Sequence, residues 1–456
     1  MRATKGGTVD TRIAVIGCGH VGLVFAAGLA ELGHRVIGVD RDEALVSSLN
    51  AGEVQIHEPG LPELVGGGLT RGTLSFTTRY ETAIPDADFI FLAVDTPPTA
   101  SGAADLRNMR AAMRSIAASL NGKVPIIVNK STSPIGTGES IELLLQDALG
   151  DRQRHPRIVA NPEFLRQSRA VQDFFHPDRI VIGARSSADA AAVAGLYGDL
   201  GGELVLTDLR TAEMIKYVAN SFLATRISFI NEISRLCEEL GVDVDQVIEG
   251  VAPDPRIGSH FFQPGIGFGG SCLPKDVSAL RYMGEALGVA TPVLTAVLEV
   301  NKTQRTAALR KLRTALGGRL DNKTIAVWGV TFKGGTEDVR ESPALEFINM
   351  LINEGAEVHA YDPSSVPGAP VRIRQTLRDS ALEAATGADA LAILADWDEF
   401  RTVDLLPVRA AMHGDVLLDG RNVIAQSCAE AMGFCYIGIG RGRARLTTVA
   451  PSSEAA

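Results

Sequence analysis

Short apolar runs that end in glycine, acid or hydroxyl residues recur along this chain, separated by longer stretches whose apolar positions repeat at helical spacing. Arg12-Ile-Ala-Val-Ile-Gly17 has no polar side to offer water, which predicts a strand buried on both faces. It turns directly into the apolar stretch Leu23 to Leu32, a predicted helix closed by Gly33. Arg35-Val-Ile-Gly-Val-Asp40 is a second strand ending in an acid, and Asp88 to Val94, Val124 to Asn129 and Arg157 to Ala160 follow the same rule. Each then exits into polar turn residues: Asp95-Thr-Pro-Pro, Lys130-Ser-Thr-Ser-Pro-Ile-Gly and Asn161-Pro-Glu-Phe-Leu-Arg166. From a cap at Thr207 or Asp208 an unbroken helical pattern reaches Leu240 and stops at Gly241; another runs from Val277 to about Leu316, broken near Gly288 and Pro292. The first pattern then returns: strand Lys323 to Gly329, helix Ser342 to Asn353, strand Ala356 to Asp362, and strands Asp389 to Leu394 and Asp415 to Asp419.

Strands alternating with helices predict an α/β protein of two Rossmann-like, doubly wound parallel-sheet domains joined by a helical middle region with a long central helix. The expected divisions are a loose tail at 1–10, a dinucleotide-binding domain at 11–206, a helical middle at 207–317, a second Rossmann-like domain at 318–445 and a loose tail at 446–456. Two such domains imply a cleft between them, the usual place for a site. The long apolar helix invites pairing with a second copy, so a homodimer is expected.

Composition narrows the function. The chain has 456 residues, 45% hydrophobic and 21% charged, as a soluble globular protein of two or three domains does. A net charge of −10 speaks against nucleic acid and anionic membrane as partners, while leaving room for a local phosphate pocket. Cys18, Cys237, Cys272, Cys428 and Cys435 form an odd set without a CxxC pair, which fits a reducing compartment, the cytoplasm, better than disulfides or a metal site. The first ten residues lack the apolar core of a secretory signal, and no apolar run of 18 residues could span a bilayer.

Gly17-Cys-Gly-His-Val-Gly22 sits between a strand and a helix, with Asp40 at the end of the next strand, as a dinucleotide fingerprint requires. Gly17 allows the tight turn, Gly19 lets the backbone approach a pyrophosphate, Gly22 packs helix on strand, and Asp40 binds a ribose diol. A carboxylate there repels a 2′-phosphate, so NAD is expected over NADP, with Arg41 beside it weakening the exclusion. Thr96 and Thr132, at strand exits, are placed to face the nicotinamide half, or are ordinary turn residues. Lys216 and Asn220 share one face of the long helix in apolar company. Cys272 lies in Gly265-Ile-Gly-Phe-Gly-Gly-Ser-Cys-Leu-Pro-Lys-Asp276, where nearby glycines (Gly258, Gly265, Gly267, Gly269, Gly270) would let backbone approach a bound molecule, and Lys275 and Asp276 set both charge signs beside the sulfur. That suits a covalent nucleophile; a surface turn with an incidental thiol is the plainer alternative. The second βαβ unit has no GxGxxG but carries Lys333 and Arg340, with Arg421 on a later strand exit, cations suited to a phosphate-bearing ligand.

Seven elements, in order, are Gly17-Cys-Gly-His-Val-Gly-Leu, Asn161-Pro-Glu-Phe-Leu-Arg, His176-Pro-Asp-Arg-Ile-Val, Lys216-Tyr-Val-Ala-Asn220, Gly269-Gly-Ser-Cys-Leu-Pro-Lys-Asp276, Phe332-Lys333 and Val339-Arg-Glu-Ser. On these, residues Thr11 to Asn422 resemble the nucleotide-sugar 6-dehydrogenase family, closest to its UDP-glucose branch. The resemblance implies a four-electron oxidation at the sugar C6 to a carboxylate, with two NAD reduced per sugar and Cys272 as nucleophile of a thiohemiacetal and thioester. It implies Lys216, Asn220, Asp276, Thr132 and Glu163 as the other catalytic groups. Gly17, Gly19, His20, Val21, Gly22, Asp40, Arg41, Thr96, Thr132, Lys275 and Arg340 would meet the cofactor. Glu163, Phe164, Leu165, Lys216, Asn220, Arg256, Phe261, Phe262, Gly265, Gly269, Lys333 and Arg421 would meet the nucleotide sugar, Arg256 from the neighbouring subunit. GDP-mannose or a UDP-N-acetylhexosamine are alternative substrates, a two-electron β-hydroxyacid dehydrogenase and a non-catalytic nucleotide-sugar sensor the alternative classes. Three positions depart from the family pattern: Gln167 where many relatives have a second glutamate, Leu45 where a basic residue is common, and Gln263 where some have lysine.

Overall fold

The computed structural model describes residues 11–149 and 156–441; the tails expected at 1–10 and 446–456 lie outside the described residues. Its contacts divide the chain into two compact units, one reaching to Asn220 and including Ser278–Val289, the other comprising Ser221–Val277 and the chain from Ala290 onward.

The first unit is built on an eight-stranded sheet. Its strands are β1 (Arg12–Ile16), β2 (Arg35–Val39), β3 (Leu74–Thr77), β4 (Phe89–Leu92), β5 (Ile126–Asn129), β6 (Arg157–Ala160), β7 (Arg179–Ala184) and β8 (Glu203–Thr207). They lie in the order β3-β2-β1-β4-β5-β6-β7-β8, parallel except where β7 runs against β6. The first six positions are the dinucleotide-binding order, which reverses between β1 and β4 and so opens a crevice at the strands' carboxyl ends. Along β1, Ile13 and Val15 join one apolar cluster and Ala14 and Ile16 the other, so both faces of the sheet are covered. That accounts for the unbroken apolar run in the sequence.

The second unit holds five parallel strands, β9 (Thr324–Trp328), β10 (Glu357–Tyr361), β11 (Ala390–Ile393), β12 (Val416–Asp419) and β13 (Cys435–Gly438), in the order β10-β9-β11-β12-β13. Ile325 and Val327 of β9 again face one cluster while Ala326 and Trp328 face the other. Parallel strands need crossover helices, and the helix Pro343–Asn353 serves β9 to β10, its N-terminus capped by the Ser342 hydroxyl. Helices Leu209–Leu240 and Leu273–Ala286 each begin in one unit and end in the other. The second starts four residues earlier than the expected Val277, because Pro274 at its second position lacks only an N–H that a first turn never uses. Among the described residues no helix is long and apolar enough to cross a membrane.

Candidate functional site

In the first unit the glycine turn leads straight into the helix His20–Glu31, with Gly19 as its N-cap. A Cβ on Gly22 would stand 1.8 Å from the Gly17 carbonyl oxygen, so only glycine lets this helix sit on the turn. A Cβ on Gly19 would meet nothing within 4 Å, which leaves the helix N-terminus open on that side. Asp40 holds the turn: one carboxylate oxygen accepts the Cys18 N–H at 2.8 Å and the other the Asp42 N–H at 3.1 Å. The free lone pairs of those oxygens, the open glycine and the oriented N–H groups fit a dinucleotide pyrophosphate and ribose diol. Val21 is half-buried and Arg41 is exposed beside Asp40. His20, expected to meet the cofactor, has its ring against the buried Glu58.

Thr96 and Thr132, at the exits of β4 and β5, are joined by a hydrogen bond from the Thr96 hydroxyl to the Thr132 carbonyl at 2.6 Å. The same unit holds a group of buried polar side chains. Lys216 Nζ donates to Glu163 Oε1 at 2.9 Å, and the Leu165 N–H donates to Glu163 Oε2 at 2.6 Å. Burial by itself would raise the Glu163 carboxyl; the Lys216 ammonium, the Leu165 N–H and the charge of Lys130 outweigh it and hold the group below the usual carboxylate range. Phe164 is covered by the Arg179 guanidinium at 3.8 Å from its ring centre, with Lys216 at 5.4 Å. Asn220, four residues after Lys216, is buried on the same helix face.

Sequence reasoning passed over Lys130. It is buried, with Nζ donating to Asn161 Oδ1 at 3.1 Å and Tyr197 Oη at 3.3 Å and lying 3.7 Å above the Phe25 ring. Burial pushes its ammonium well below the ordinary lysine value. The available signal was a lysine placed immediately after the buried strand Ile126–Asn129, where a solvated side chain is rare. Glu213 was also missed: it takes the Gly136 and Gly138 N–H groups at 2.6 and 2.7 Å, and so caps the helix Thr137–Leu149 that follows the Thr132 turn.

In the second unit Cys272 is exposed immediately before the helix Leu273–Ala286, a place where oriented N–H groups favour an anion. Its carbonyl accepts the Asp276 N–H at 2.9 Å, which puts the Asp276 side chain in the same first turn. Asp276 is buried and ion-paired to Lys275 at 2.5 Å, so the expected cofactor contact Lys275 is also the partner of the expected water-activating carboxylate.

The protein's own packing also calls for glycines in this loop. Only at Gly258 would a Cβ meet open space; at Gly269 it would stand 2.2 Å from the Glu341 carbonyl oxygen, and at Gly267 2.7 Å from Asn301 Oδ1. Protein backbone and amides crowd the loop at Gly267 and Gly269, which excludes a Cβ there. Asn301 clamps it at two points, accepting from the Phe268 N–H at 2.8 Å and donating to the Phe268 carbonyl at 3.0 Å. Asn231 accepts the Gly265 N–H at 2.8 Å and Gln304 donates to the Gly265 carbonyl at 2.9 Å. These amides stand on the long helix and on the helix Pro292–Ala315, far away in sequence.

Arg421 is drawn into the same framework. It donates to the carbonyls of Leu394, Gly267 and Phe332 at 3.0, 2.9 and 3.1 Å, tying the glycine loop to the Phe332-Lys333 turn. The Arg340 carbonyl accepts the Gly270 N–H, while its guanidinium pairs with Asp338. Lys333 Nζ lies 5.8 Å from the Phe332 ring centre. Arg256 is exposed and paired with Asp254, Phe261 adopts a positive φ of 57°, and Phe262 is buried near the Arg226 guanidinium. Among the described residues no cluster of His, Cys, Asp or Glu is arranged to hold a metal ion.

Comparison with known proteins covers nearly the whole chain. Residues 11–201 match the NAD binding domain of the UDP-glucose/GDP-mannose dehydrogenase family, residues 210–303 its central domain and residues 326–426 its UDP binding domain. The chain is 42% identical over 438 residues to UDP-glucose 6-dehydrogenase TuaD of Bacillus subtilis, covering 96% of this chain and 94% of that one. It is 40% identical over 445 residues to UDP-glucose 6-dehydrogenase of Pseudomonas aeruginosa, covering 95% and 98%. The solved UDP-glucose dehydrogenase of Pyrobaculum islandicum superposes with a TM-score of 0.89 at 37% identity, covering 96% of this chain and all of that one.

Proposed function

The chain belongs to the UDP-glucose/GDP-mannose dehydrogenase family, and from that premise we propose that it oxidises the C6 alcohol of UDP-glucose to the carboxylate of UDP-glucuronate. NAD, when bound, supplies the hydride acceptor for each of the two oxidations. Overall, one alcohol, two NAD+ and one water become one carboxylate, two NADH and three protons.

The first oxidation leaves an aldehyde, which has no hydride to give efficiently until a nucleophile has added to it. The Cys272 thiolate adds to that carbonyl: a C–S bond forms and the carbonyl pair moves to oxygen. Lys216 and Asn220, on one face of the long helix, are the donors for the charge that develops on that oxygen, and Thr132 joins them. The second oxidation converts the thiohemiacetal to a thioester. Water then attacks, the C–S bond breaks, and a carboxylate takes the water's proton. Gln167 has no basic oxygen to lend, so this step leans on a carboxylate, Asp276 or Glu163, each ion-paired to a lysine.

In this reading Gly17, Gly19, His20, Val21, Gly22, Asp40, Arg41 and Thr96 serve the dinucleotide, with Lys275 and Arg340. Glu163, Phe164, Leu165, Phe261, Phe262, Gly265, Gly269, Lys333 and Arg256 serve the sugar and its nucleotide, and Arg421 acts chiefly by holding the loop that carries the thiol. The observation that carries the proposal is Cys272 itself, an exposed thiol at a helix start on a loop clamped from three sides. The protein is further proposed to act in the cytoplasm, which its five free cysteines suit, and as a homodimer joined through the exposed apolar face of the long helix.

The test is to offer UDP-glucose, GDP-mannose and UDP-N-acetylmannosamine with NAD and count NADH formed per sugar consumed. Two per UDP-glucose is expected. One per sugar would sink the acid-forming route, turnover of a different sugar alone would reassign the substrate, and binding without turnover would leave a sensor.

A further inference from the structure

Glu58 stands outside every motif used above, yet its carboxylate is fully enclosed. Oε2 accepts the Ser168 N–H at 2.8 Å and Oε1 accepts the Ala170 N–H at 2.7 Å. His20 Nε2 lies 2.9 Å from that same Oε2 without a hydrogen bond to it, so the two groups meet by contact. The Glu58 backbone is fixed as well, its carbonyl accepting the Leu61 N–H at 3.1 Å where Gly60 turns the chain with a φ of 81°.

The partners belong to different parts of the first unit. His20 is the first residue of the helix that opens at the dinucleotide turn. Ser168 and Ala170 close the segment that leaves β6 at Asn161 and carries Glu163, Phe164 and Leu165. Ser168 has a φ of 67°, a conformation that a residue with a side chain keeps only where its surroundings hold it, and here the holding group is the Glu58 carboxylate. One buried carboxylate thus touches the first residue of the cofactor helix and fixes the end of the sugar segment, with Oε2 shared between His20 and Ser168.

Resting on the dehydrogenase reading, we propose that Glu58 is a positioning residue that couples the two ligands: a dinucleotide on the turn sets the His20 ring, the ring sets the carboxylate, and the carboxylate sets the segment that receives the nucleotide sugar. Each ligand then raises the affinity for the other by the same factor.

The experiment is titration calorimetry of UDP-glucose into the full chain, with and without saturating NADH, which binds the turn but cannot accept hydride. The wild type is expected to bind UDP-glucose about five-fold or more tightly with NADH present, and Glu58→Gln to bring that ratio to within about two-fold of one. If Glu58→Gln fails to fold by circular dichroism, His20→Asn replaces it, with NADH saturation of the variant established by its own titration: it leaves both backbone bonds in place, removes the His20–Glu58 contact, and is expected to collapse the ratio in the same way. A full ratio in the folded variant, or a ratio of one in the wild type, overturns the coupling while leaving the dehydrogenase reading intact. A wild type that binds neither ligand overturns both.

Discussion

Lys216 Nζ lies 2.9 Å from Glu163 Oε1 with side chains only 5% and 7% exposed, so a helix residue and a strand-exit residue share one nearly dry ion pair. Removing either partner strands a charge away from water, whereas removing both strands none. Lys216→Met is therefore expected to destabilise the fold by about 3–5 kcal/mol, and Lys216→Met with Glu163→Leu to recover most of that loss. Urea unfolding of both variants checks this. A double variant no more stable than the single one would show that the pair does not act as a unit.

A second carboxylate, Glu213 on the helix that carries Lys216, predicts how stability follows pH. Burial, opposed by the two glycine N–H groups, pushes Glu213 up from an ordinary 4.5 to about 7. The folded state therefore holds this proton more tightly than the unfolded chain, and the group's stabilisation is complete below 4.5 and lost as pH rises through about 7. Glu163 runs the other way: its folded value is lowered, so its contribution is complete above the ordinary carboxylate value and goes only as pH falls through the lowered one. Between about pH 5 and 8, of these two, only Glu213 titrates. Glu213→Gln should flatten a rise in Tm that the wild type shows on going from pH 8 to 5.5. Scanning calorimetry at several pH values reads it, and parallel slopes in the two proteins would refute it.

Replacing the sulfur should separate binding from chemistry. Cys272→Ala is expected to lower acid formation at least about a thousandfold, because no other group on that helix turn can form the adduct, while NAD affinity stays within about two-fold. Intact-mass spectrometry of acid-quenched wild type turning over UDP-glucose should show a sugar nucleotide adduct that the variant lacks. Unchanged turnover by the variant would exclude covalent catalysis.

The clamp on the thiol loop is open to the same treatment. Asn301→Leu leaves the Phe268 N–H and carbonyl buried without partners, a cost of about 1–3 kcal/mol for each. The loop should relax toward water to avoid it, displacing the sulfur. The expected signature is a kcat reduced at least about ten-fold with the KM for NAD unchanged, since a small displacement of a reacting group is costly. Equal kcat values would mean that the loop holds its shape without Asn301.

What could be read from the sequence was what lies close together in it. The strand, glycine turn, helix and acid between Arg12 and Asp40 are contiguous, and the long helix carries its own stop at Gly241, so both were legible. Strands β3, β7, β8 and β13 were not. Three of them, β3, β8 and β13, are sheet edges and lack the unbroken buried run that marks a central strand. The site was legible where a residue's chemistry declares itself, as with Cys272 or Asp40. It was opaque where the role comes from a distant partner: Glu58 meets Ser168 and Ala170 more than a hundred residues away, and Asn301 meets Phe268 across 33. Nothing in local spacing marks such a pair.

The long helix also shows a surface that water alone accounts for poorly. Met214, Val218, Phe222, Phe229, Leu236 and Leu240 are each between 41% and 75% exposed, at steps of four and seven residues that place them along one stripe. Lys216 and Asn220, between the first of them, are buried, so this face is distinct from the one that carries the polar site. A second copy can cover such a stripe by presenting the same one, as two-fold pairing requires. Phe222→Glu would put like charges opposite each other in that pairing. Light scattering after gel filtration should therefore give the wild type twice the mass of one chain and the variant the mass of one. A wild type that elutes as a single chain at micromolar concentration would leave the stripe without its proposed partner.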